Sequence, residues 1–357
     1  MRKHYLDNIR WATVVLVVLY HVFYMYNAEG IVGVVGKITN LDVQYYDVYQ
    51  YIVYPWFMAL LFLVSGVSAR YSLDTSTTGE FLRSRTRKLL VPCTVGLFCF
   101  QFLQGYVNVA LGGLFERSPE IPLPAKLLIC VISGMGVLWY IQLLWVFSLL
   151  LVLVRKVEND RLWHLCGGVK LPVLLALTVP VWAAAQFLNT PIILVYRIGL
   201  YFFVFLLGYF VFSHDEVIEV LKRWFFPLLG IAVVLGTVFC VRCFGQNYAD
   251  APVNRSILFT SYAWFACLAI LGGAARFGNV SNRFTEWMRT RSFGLYVFHY
   301  LGISSVGLFL AKPGLVSAPA AYLLSLAAGF GFGYGLNAVI SRLPFLRWAV
   351  LGIQNKK

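Results

Sequence analysis

Two ionisable residues lie in an otherwise apolar stretch near the start of the chain. Arg10 and His21 are eleven residues apart, which on an α-helix is about three full turns, so both side chains lie on one face. They would be separated by about 16 Å along the helix axis. An ionisable group inside an apolar segment is costly and is therefore a candidate for function. Asp7, one turn before Arg10, is predicted to orient it through an i,i+3 ion pair.

General base catalysis is the chemistry that His21 offers. A neutral imidazole within hydrogen-bond reach of a hydroxyl can accept its proton. Taken alone, a histidine in an apolar helix is more often a structural residue, hydrogen-bonded to a neighbouring helix. His299 lies about two turns inside another apolar segment. Together with Tyr296 on the preceding turn, it is a weaker candidate for the same cavity.

The densest group of basic residues follows the second apolar segment, in a predicted loop from Phe81 to Pro92. It contains Arg83, Arg85, Arg87 and Lys88. Because Arg85 and Lys88 are three residues apart, they are predicted to share a helical face at the membrane boundary. Such a cluster can bind phosphate groups. Anionic lipid headgroups are an equally suitable partner for the same charges.

Composition indicates what kind of scaffold holds these residues. Of the 357 residues, 60% are hydrophobic and only 12% are charged, and the mean hydropathy is +0.76. A water-soluble protein carries about twice that share of charge. The apolar runs are long enough to cross a bilayer as helices, and their continuity argues against a barrel of alternating strands. We predict an all-α integral membrane protein of about ten transmembrane helices, forming one domain over residues 1–357.

The apolar runs give the predicted positions of the helices. Ten spans are predicted, at 9–27, 48–70, 89–111, 134–154, 171–188, 192–212, 225–244, 256–275, 292–311 and 319–340. The last contains the pairs Gly329/Gly333 and Gly331/Gly335. Their G-x-x-x-G spacing predicts close packing against another helix.

The net charge of +14 is interpreted as a topological signal, since the basic residues lie between the apolar runs. One set of alternate loops contains 21 of the Lys and Arg residues and the other set contains 7. Because basic residues concentrate in cytoplasmic loops, both termini are predicted to be cytoplasmic. The predicted location is the cytoplasmic membrane, crossed many times. Membrane lipids are expected partners, and nucleic acid is not.

Five segments, in order along the chain, resemble motifs of the acyltransferase-3 family of membrane O-acyltransferases. The first helix resembles that family's R-x10-H pattern through Arg10 and His21. Phe62–Gly66 is similar to the family's F-x-x-S-G motif, and Arg85–Pro92 is similar to R-x-x-R-L-x-P. Further along, Leu138–Ile141 is similar to H-L-W-F-L, and Ser292–His299 is similar to S-x-x-x-Y-L-x-H. The ordered set covers nearly the whole chain and is more specific than any single motif.

The chain departs from the family pattern at two positions. Val137 stands where the family has the histidine that precedes Leu-Trp, which puts details of the acceptor site in doubt. Lys88 stands in place of an arginine. A lysine cannot bind a phosphate bidentately, so this weakens one part of the predicted phosphate site.

The resemblance implies an acyltransferase that takes an acyl group, commonly acetyl, from cytoplasmic acyl-CoA. The group is placed on a hydroxyl of an extracytoplasmic carbohydrate or glycolipid. His21 would be the general base, or would carry the group as an acyl-imidazole. The other implied site residues are Arg10 and His299 beside it, Arg83, Arg85, Lys88 and Ser65 for the donor, and Trp139 and Tyr296 for the acceptor. No metal and no permanently bound cofactor are expected.

Other functions are compatible with the same residues. A transporter or flippase for a saccharide or glycolipid would use a membrane histidine as a proton relay. Against it, the sequence shows no inverted repeat of broken helices. A structural membrane subunit and an acyltransferase acting on lipids or proteins are further alternatives. Changing His21 would impair transport by a transporter and would have no functional effect in a structural subunit.

Overall fold

The computed structural model describes residues 3–27, 33–38, 48–188 and 197–354. Every regular element within these residues is a helix. Eight of the described helical segments are long and apolar enough to cross a membrane, namely His4–Asn27, Val48–Thr75, Thr78–Leu111, Gly136–Glu158, Phe225–Cys243, Ile257–Phe277, Arg283–Ala311 and Ala318–Ile340. The all-helical membrane architecture predicted from the sequence is thereby confirmed.

Two of the ten predicted spans do not match a helix of spanning length. The span predicted at 171–188 corresponds to the shorter apolar helix Leu171–Ala184. It is interrupted at Leu177, where Pro180 has no N–H to offer the carbonyl one turn earlier. The span predicted at 192–212 has its first residues, 192–196, outside the described residues.

The described part of that sixth span is one arm of a bent pair. Ile198–Phe210 meets Asp215–Arg223 at an angle of 105°. Counted as one span, the pair raises the number of spanning candidates in the described residues to nine. The count of about ten helices and the cytoplasmic position of both termini stay predictions.

The chain divides into two compact units, each built from three stretches of sequence. Unit 1 comprises Met1–Thr13, Tyr51–Arg83 and Val146–Arg289, and unit 2 comprises Val14–Gln50, Ser84–Trp145 and Thr290–Lys357. Five helices contribute residues to both units, namely His4–Asn27, Val48–Val53, Thr78–Arg85, Trp139–Glu158 and Arg283–Val306.

Unit 1 is organised by two helices whose backbones touch. Its remaining described helices are Phe57–Thr75, Arg161–Cys166, Leu171–Ala176, Thr178–Ala184, Ile198–Phe210, Asp215–Arg223, Phe225–Cys243, the short 3-10 helix Val253–Arg255, and Ile257–Phe277. A Cβ atom at Gly66 would lie 2.0 Å from the carbonyl oxygen of Phe205, and one at Gly208 would lie 2.1 Å from that of Leu63. Glycine at both positions lets the two helices approach at backbone distance.

Unit 2 contains the helices around the predicted catalytic residues. Its remaining described helices are Thr86–Leu90, Val91–Cys93, Leu97–Gln101, Phe102–Leu111, Leu114–Arg117, Leu123–Ser133, Gly136–Leu138, Gly307–Ala311, Ala318–Ile340 and Pro344–Leu351. Gly329 and Gly333 contact Ile303 and Leu295 on the helix that carries His299. This confirms close packing for one of the two predicted glycine pairs, whereas a Cβ atom at Gly331 or Gly335 would meet no described residue of another helix within 4 Å.

Candidate active site

His21 and His299, both in unit 2, meet across two helices. His21 belongs to His4–Asn27 and His299 to Arg283–Val306. The Nε2 atom of His299 lies 3.1 Å from Nδ1 of His21, and the ring centres are 5.0 Å apart. His299 is completely buried, whereas His21 is partly exposed. The two histidines thus share one location, as expected from the sequence, while their catalytic roles stay predictions.

The hydrogen-bond partners assign the protons of the two neutral rings. Nδ1 of His299 faces the carbonyl oxygens of Tyr296 at 2.8 Å and Leu295 at 3.1 Å. A carbonyl oxygen only accepts, so Nδ1 carries the hydrogen and Nε2 carries the lone pair. Nδ1 of His21 faces that lone pair and the carbonyl oxygen of Val17, at 2.9 Å, so it too must be the donor.

The assignment leaves the basic nitrogen of His21 at Nε2. No hydrogen bond joins this atom to any residue that the structure describes. An imidazole whose tautomer is fixed on one side and whose lone pair is available on the other is prepared to accept a proton. This arrangement requires two helices, and the order of residues along the chain does not reveal it.

Aromatic rings hold the His21 imidazole in place. Tyr300 meets it edge to face, with ring centres 5.1 Å apart, and Tyr20 does so at 5.4 Å. The Tyr300 hydroxyl donates to the carbonyl oxygen of Gly33 at 3.1 Å, which fixes the phenol ring. Packing on its faces and hydrogen bonds at its edge together restrict the imidazole to one orientation.

Tyr296 connects the helix of His299 with the segment that contains Trp139. The Tyr296 hydroxyl donates to the carbonyl oxygen of Val137, the residue that stands in place of the family's histidine. Its ring also meets that of Tyr140 edge to face, with centres 6.1 Å apart. Trp139, next to Tyr140, begins the helix Trp139–Glu158 and is partly exposed. Two predicted acceptor residues therefore belong to adjoining parts of unit 2.

Buried carboxamides beside His299 were missed by the sequence reasoning. Gln104 donates to Asn108 Oδ1 at 2.8 Å and to Ser304 Oγ at 3.0 Å. Gln101 donates to the carbonyl oxygen of Val297 at 3.4 Å. Amides in an apolar span are costly unless hydrogen-bonded. Their presence within the predicted third span was the signal that could have identified them.

Arg10 lies in unit 1 and has the partner that its spacing predicted. Its Nη1 atom is 3.0 Å from Asp7 Oδ1, which confirms the i,i+3 ion pair. Its Nη2 atom donates to the hydroxyl of Ser68, which in turn donates to the carbonyl oxygen of Val64 at 2.9 Å. Ser68 was not among the predicted site residues, and the role predicted for Ser65 on the same helix stays a prediction.

The basic segment is helical, which corrects the predicted loop. Thr78–Arg85 continues into the π-helical turn Thr86–Leu90. A π-turn closes i→i+5, so residues three apart are rotated further from each other than in an α-helix. The shared face predicted for Arg85 and Lys88 is therefore only approximate. Arg85 and Arg87 nevertheless both lie close enough to Lys88 to interact with it electrostatically.

Exposure and neighbours differ along this basic segment. Arg83 and Lys88 are exposed, whereas Arg85 and Arg87 are partly buried. Arg87 donates through Nη1 to the side-chain oxygen of Gln354, near the end of the chain. The segment thus presents concentrated positive charge that can attract phosphate.

The described fold is that of a polytopic membrane protein, and its unit 2 holds a pair of hydrogen-bonded histidines. No group of three or more histidine, cysteine or acidic side chains suited to a metal ion occurs in the part of the chain that the structure describes. The family model described as an acyltransferase domain, that of the acyltransferase-3 family, matches residues 3–338. No curated protein and no solved structure gives a significant match. The chain belongs to the acyltransferase-3 family, and it is an acyltransferase with an acyl donor and an acceptor as substrates.

Proposed function

We propose that this membrane acyltransferase transfers an acetyl group from cytoplasmic acetyl-CoA to a hydroxyl of an extracytoplasmic carbohydrate or glycolipid, with His21 as general base. The observation that carries the proposal is the contact between His21 and His299. It fixes the proton of His21 at Nδ1, where Val17 and His299 accept it. The lone pair of Nε2 is then available to a hydroxyl.

The transfer step follows from that arrangement. The acceptor hydroxyl gives its proton to Nε2 of His21 while its oxygen forms a bond to the carbonyl carbon of the thioester. The carbon–sulfur bond then breaks, CoA leaves as its thiolate, and the thiolate takes the proton back from Nε2. Between these events His21 is an imidazolium. The Val17 carbonyl and the Nε2 lone pair of His299 both face its Nδ1–H and stabilise the positive charge.

Donor binding is assigned in the proposal to Arg83, Arg85, Arg87 and Lys88. CoA carries a pyrophosphate and a further phosphate, and clustered arginine and lysine side chains are suited to these groups. Ser65 as an oxyanion donor, Arg10 as a donor contact, and Trp139 and Tyr296 as acceptor contacts remain part of the proposal. Tyr296 has support from its position three residues before His299 on one helix.

The test is acyl transfer by membranes that contain the protein. Labelled acetyl-CoA is supplied, and label is measured on extracted glycans for the wild type, His21→Ala and His4→Ala. Loss of a general base lowers the rate by about 10²–10⁴-fold. His4 begins the same helix, 17 residues before His21, so His4→Ala serves as the matched control.

Equal amounts of folded protein must be present for each variant, checked by size exclusion in detergent. Full activity of His21→Ala would remove His21 from the mechanism. If the wild type labels no glycan with any of a panel of acyl-CoAs, the donor or the acceptor class is wrong. Saccharide movement driven by a proton gradient without acyl-CoA would then favour the transporter alternative.

A further inference from the structure

Arg197 is a buried cation in unit 1, at the residue that precedes the helix Ile198–Phe210. Only 2% of its surface is exposed. Its Nη2 atom donates to the hydroxyl of Tyr54 at 2.9 Å. The guanidinium carbon lies 4.9 Å from the centre of the Tyr54 ring and 4.8 Å from that of Phe259. Two aromatic rings and the Tyr54 hydroxyl stabilise its charge, and the phenol of Tyr201 is near enough to interact with it electrostatically.

The charge of Arg197 is not balanced by a carboxylate within the described part of the chain. The sequence from 161 to 214 contains no Asp or Glu, and the buried Nε–H of Arg197 has no hydrogen-bond acceptor among the residues that the structure describes. Arginine remains protonated at any working pH. A buried charge without a counter-charge is strongly unfavourable, so such groups are normally paired.

Arg70 in the same unit shows how this chain otherwise treats a buried arginine. It is 7% exposed. It pairs with Asp74 at 3.0 Å and Asp160 at 2.5 Å, and it donates to the hydroxyl of Tyr209. Two carboxylates compensate this guanidinium, and the fold supplies none to Arg197 among the described residues. The difference points to a counter-ion that arrives with a ligand.

The geometry around Arg197 suits an oxyanion. Aromatic rings on a guanidinium leave its edge for hydrogen bonding, and that edge carries N–H groups in a fork that matches a carboxylate or a phosphate. Arg197 also stands at the N-terminus of a helix of 13 residues, where the helix dipole favours negative charge. We propose that Arg197, with Tyr54 and Phe259 holding it, binds the phosphate or carboxylate group of a ligand.

This proposal does not depend on the acyl-transfer chemistry. The oxyanion could belong to an anionic lipid or to a water-soluble molecule such as an acidic sugar. Both sources present the same chemistry to the guanidinium, and they can be separated by the form in which the probe is supplied.

The experiment measures the melting temperature of the purified protein in neutral detergent at constant ionic strength. Inorganic phosphate and glucuronate are the soluble probes. Nanodiscs of phosphatidylglycerol are compared with nanodiscs of phosphatidylcholine as the lipid arm. The variants are Arg197→Met and Arg197→Lys. The control is Arg242→Met, which removes an exposed arginine of the same unit.

We expect at least one probe to raise the melting temperature of the wild type and of Arg242→Met by about 2–4 °C. Arg197→Met should show no such rise, and without a probe it should melt no lower than the wild type, because an uncompensated charge has been removed. Arg197→Lys keeps the charge without the fork and should respond more weakly. A rise confined to phosphatidylglycerol identifies a lipid headgroup, and a rise with a soluble probe identifies a soluble ligand.

Two results would overturn the proposal. The first is that no probe raises the melting temperature of the wild type by more than it raises that of Arg197→Met. The second is that Arg197→Met melts well below the wild type, and by the same amount with and without each probe. Arg197 would then be a residue that only packs between two aromatic rings.

Discussion

Nε2 of His299 accepts the proton that Nδ1 of His21 donates, across 3.1 Å, while His299 is itself held by two carbonyl oxygens of its own helix. Donation runs in one direction, from Nδ1 of His21 to His299 and from Nδ1 of His299 to the backbone carbonyl oxygens of its own helix. In hydrolases a third group orients the catalytic histidine in the same manner, by fixing its tautomer. In the proposed mechanism His299 takes the place of that third group.

The role of His299 as a positioning residue predicts different results for two substitutions. His299→Leu removes the acceptor for Nδ1–H of His21, but the Val17 carbonyl remains at 2.9 Å. Losing one of two hydrogen bonds costs about 0.5–1.5 kcal/mol, so kcat should fall by about 3- to 10-fold. In His299→Gln the side-chain oxygen can replace Nε2 as the acceptor, and kcat should recover to near the wild-type value. KM for both substrates should stay unchanged.

Steady-state acyl transfer with purified protein measures this prediction. Melting temperatures of both variants show whether a lower rate reflects lost folding, since His299 is completely buried. Equal losses for the leucine and glutamine variants would mean that the hydrogen bond to His21 is irrelevant. A loss as large as that of His21→Ala would give His299 a direct role in the chemistry.

How much of the site the sequence could predict depended on distance along the chain. The ion pair of Asp7 with Arg10 was predictable because both residues belong to one helix and helical geometry fixes their spacing. The contact between His21 and His299 joins residues 278 positions apart, and periodicity within a helix carries no such information. The hydrogen bond from Arg10 to Ser68 was not predicted for the same reason, since it joins two helices.

The fold shows a similar division between local and non-local information. Hydropathy located eight helices of spanning length because the requirement for apolar length is local. It could not show that Leu171–Ala184 is too short to be counted, or that Ile198–Phe210 ends in a bend of 105°. The loop predicted around Arg85 was wrong, because charge was taken as a sign of irregular structure in a segment that continues as helix.

Substitutions in the basic segment should weaken binding of the acyl donor and leave the rate of the chemical step unchanged. Lys88→Ala is expected to raise KM for acetyl-CoA by about 10-fold or more, the effect of one lost charge-assisted hydrogen bond, with kcat nearly unchanged. With acetyl-pantetheine, which lacks the phosphates, the variant and the wild type should behave alike. Lys156→Ala is the matched control, because Lys156 is likewise exposed and lies outside the segment.

Initial rates over a range of both donors measure this effect, and repeating them at higher salt tests its electrostatic origin. Salt should raise KM of the wild type for acetyl-CoA more than that of Lys88→Ala. An equal loss with acetyl-pantetheine would argue that Lys88 supports the fold or binds lipid headgroups.

Substitution of Arg10 should lower activity, with little effect on the stability of the fold. Its ion pair with Asp7 is partly exposed, with side-chain exposures of 34% and 17%, so Asp7→Asn should cost less than about 1 kcal/mol of stability. Arg10→Lys removes the fork that contacts Asp7 and Ser68 together. If Arg10 contacts the donor, transfer should fall by 10-fold or more in Arg10→Lys while the melting temperature changes little. Unchanged transfer in this variant would restrict Arg10 to a structural role.

The glycine contact of unit 1 gives a prediction that is independent of catalysis. In Gly66→Ala the new methyl group would lie 2.0 Å from the carbonyl oxygen of Phe205 and 2.9 Å from the amide nitrogen of Tyr209. Backbone atoms cannot move away as a side chain can, so the two helices must separate, at a cost of about 1–3 kcal/mol or more.

Gly331→Ala is the matched control, since Gly331 is also helical and a methyl group there meets nothing within 4 Å. Melting in detergent should fall by several degrees for Gly66→Ala and stay level or rise for Gly331→Ala, because alanine favours helix over glycine by about 1 kcal/mol. Equal melting temperatures for the two variants would mean that the helices of unit 1 do not approach at backbone distance.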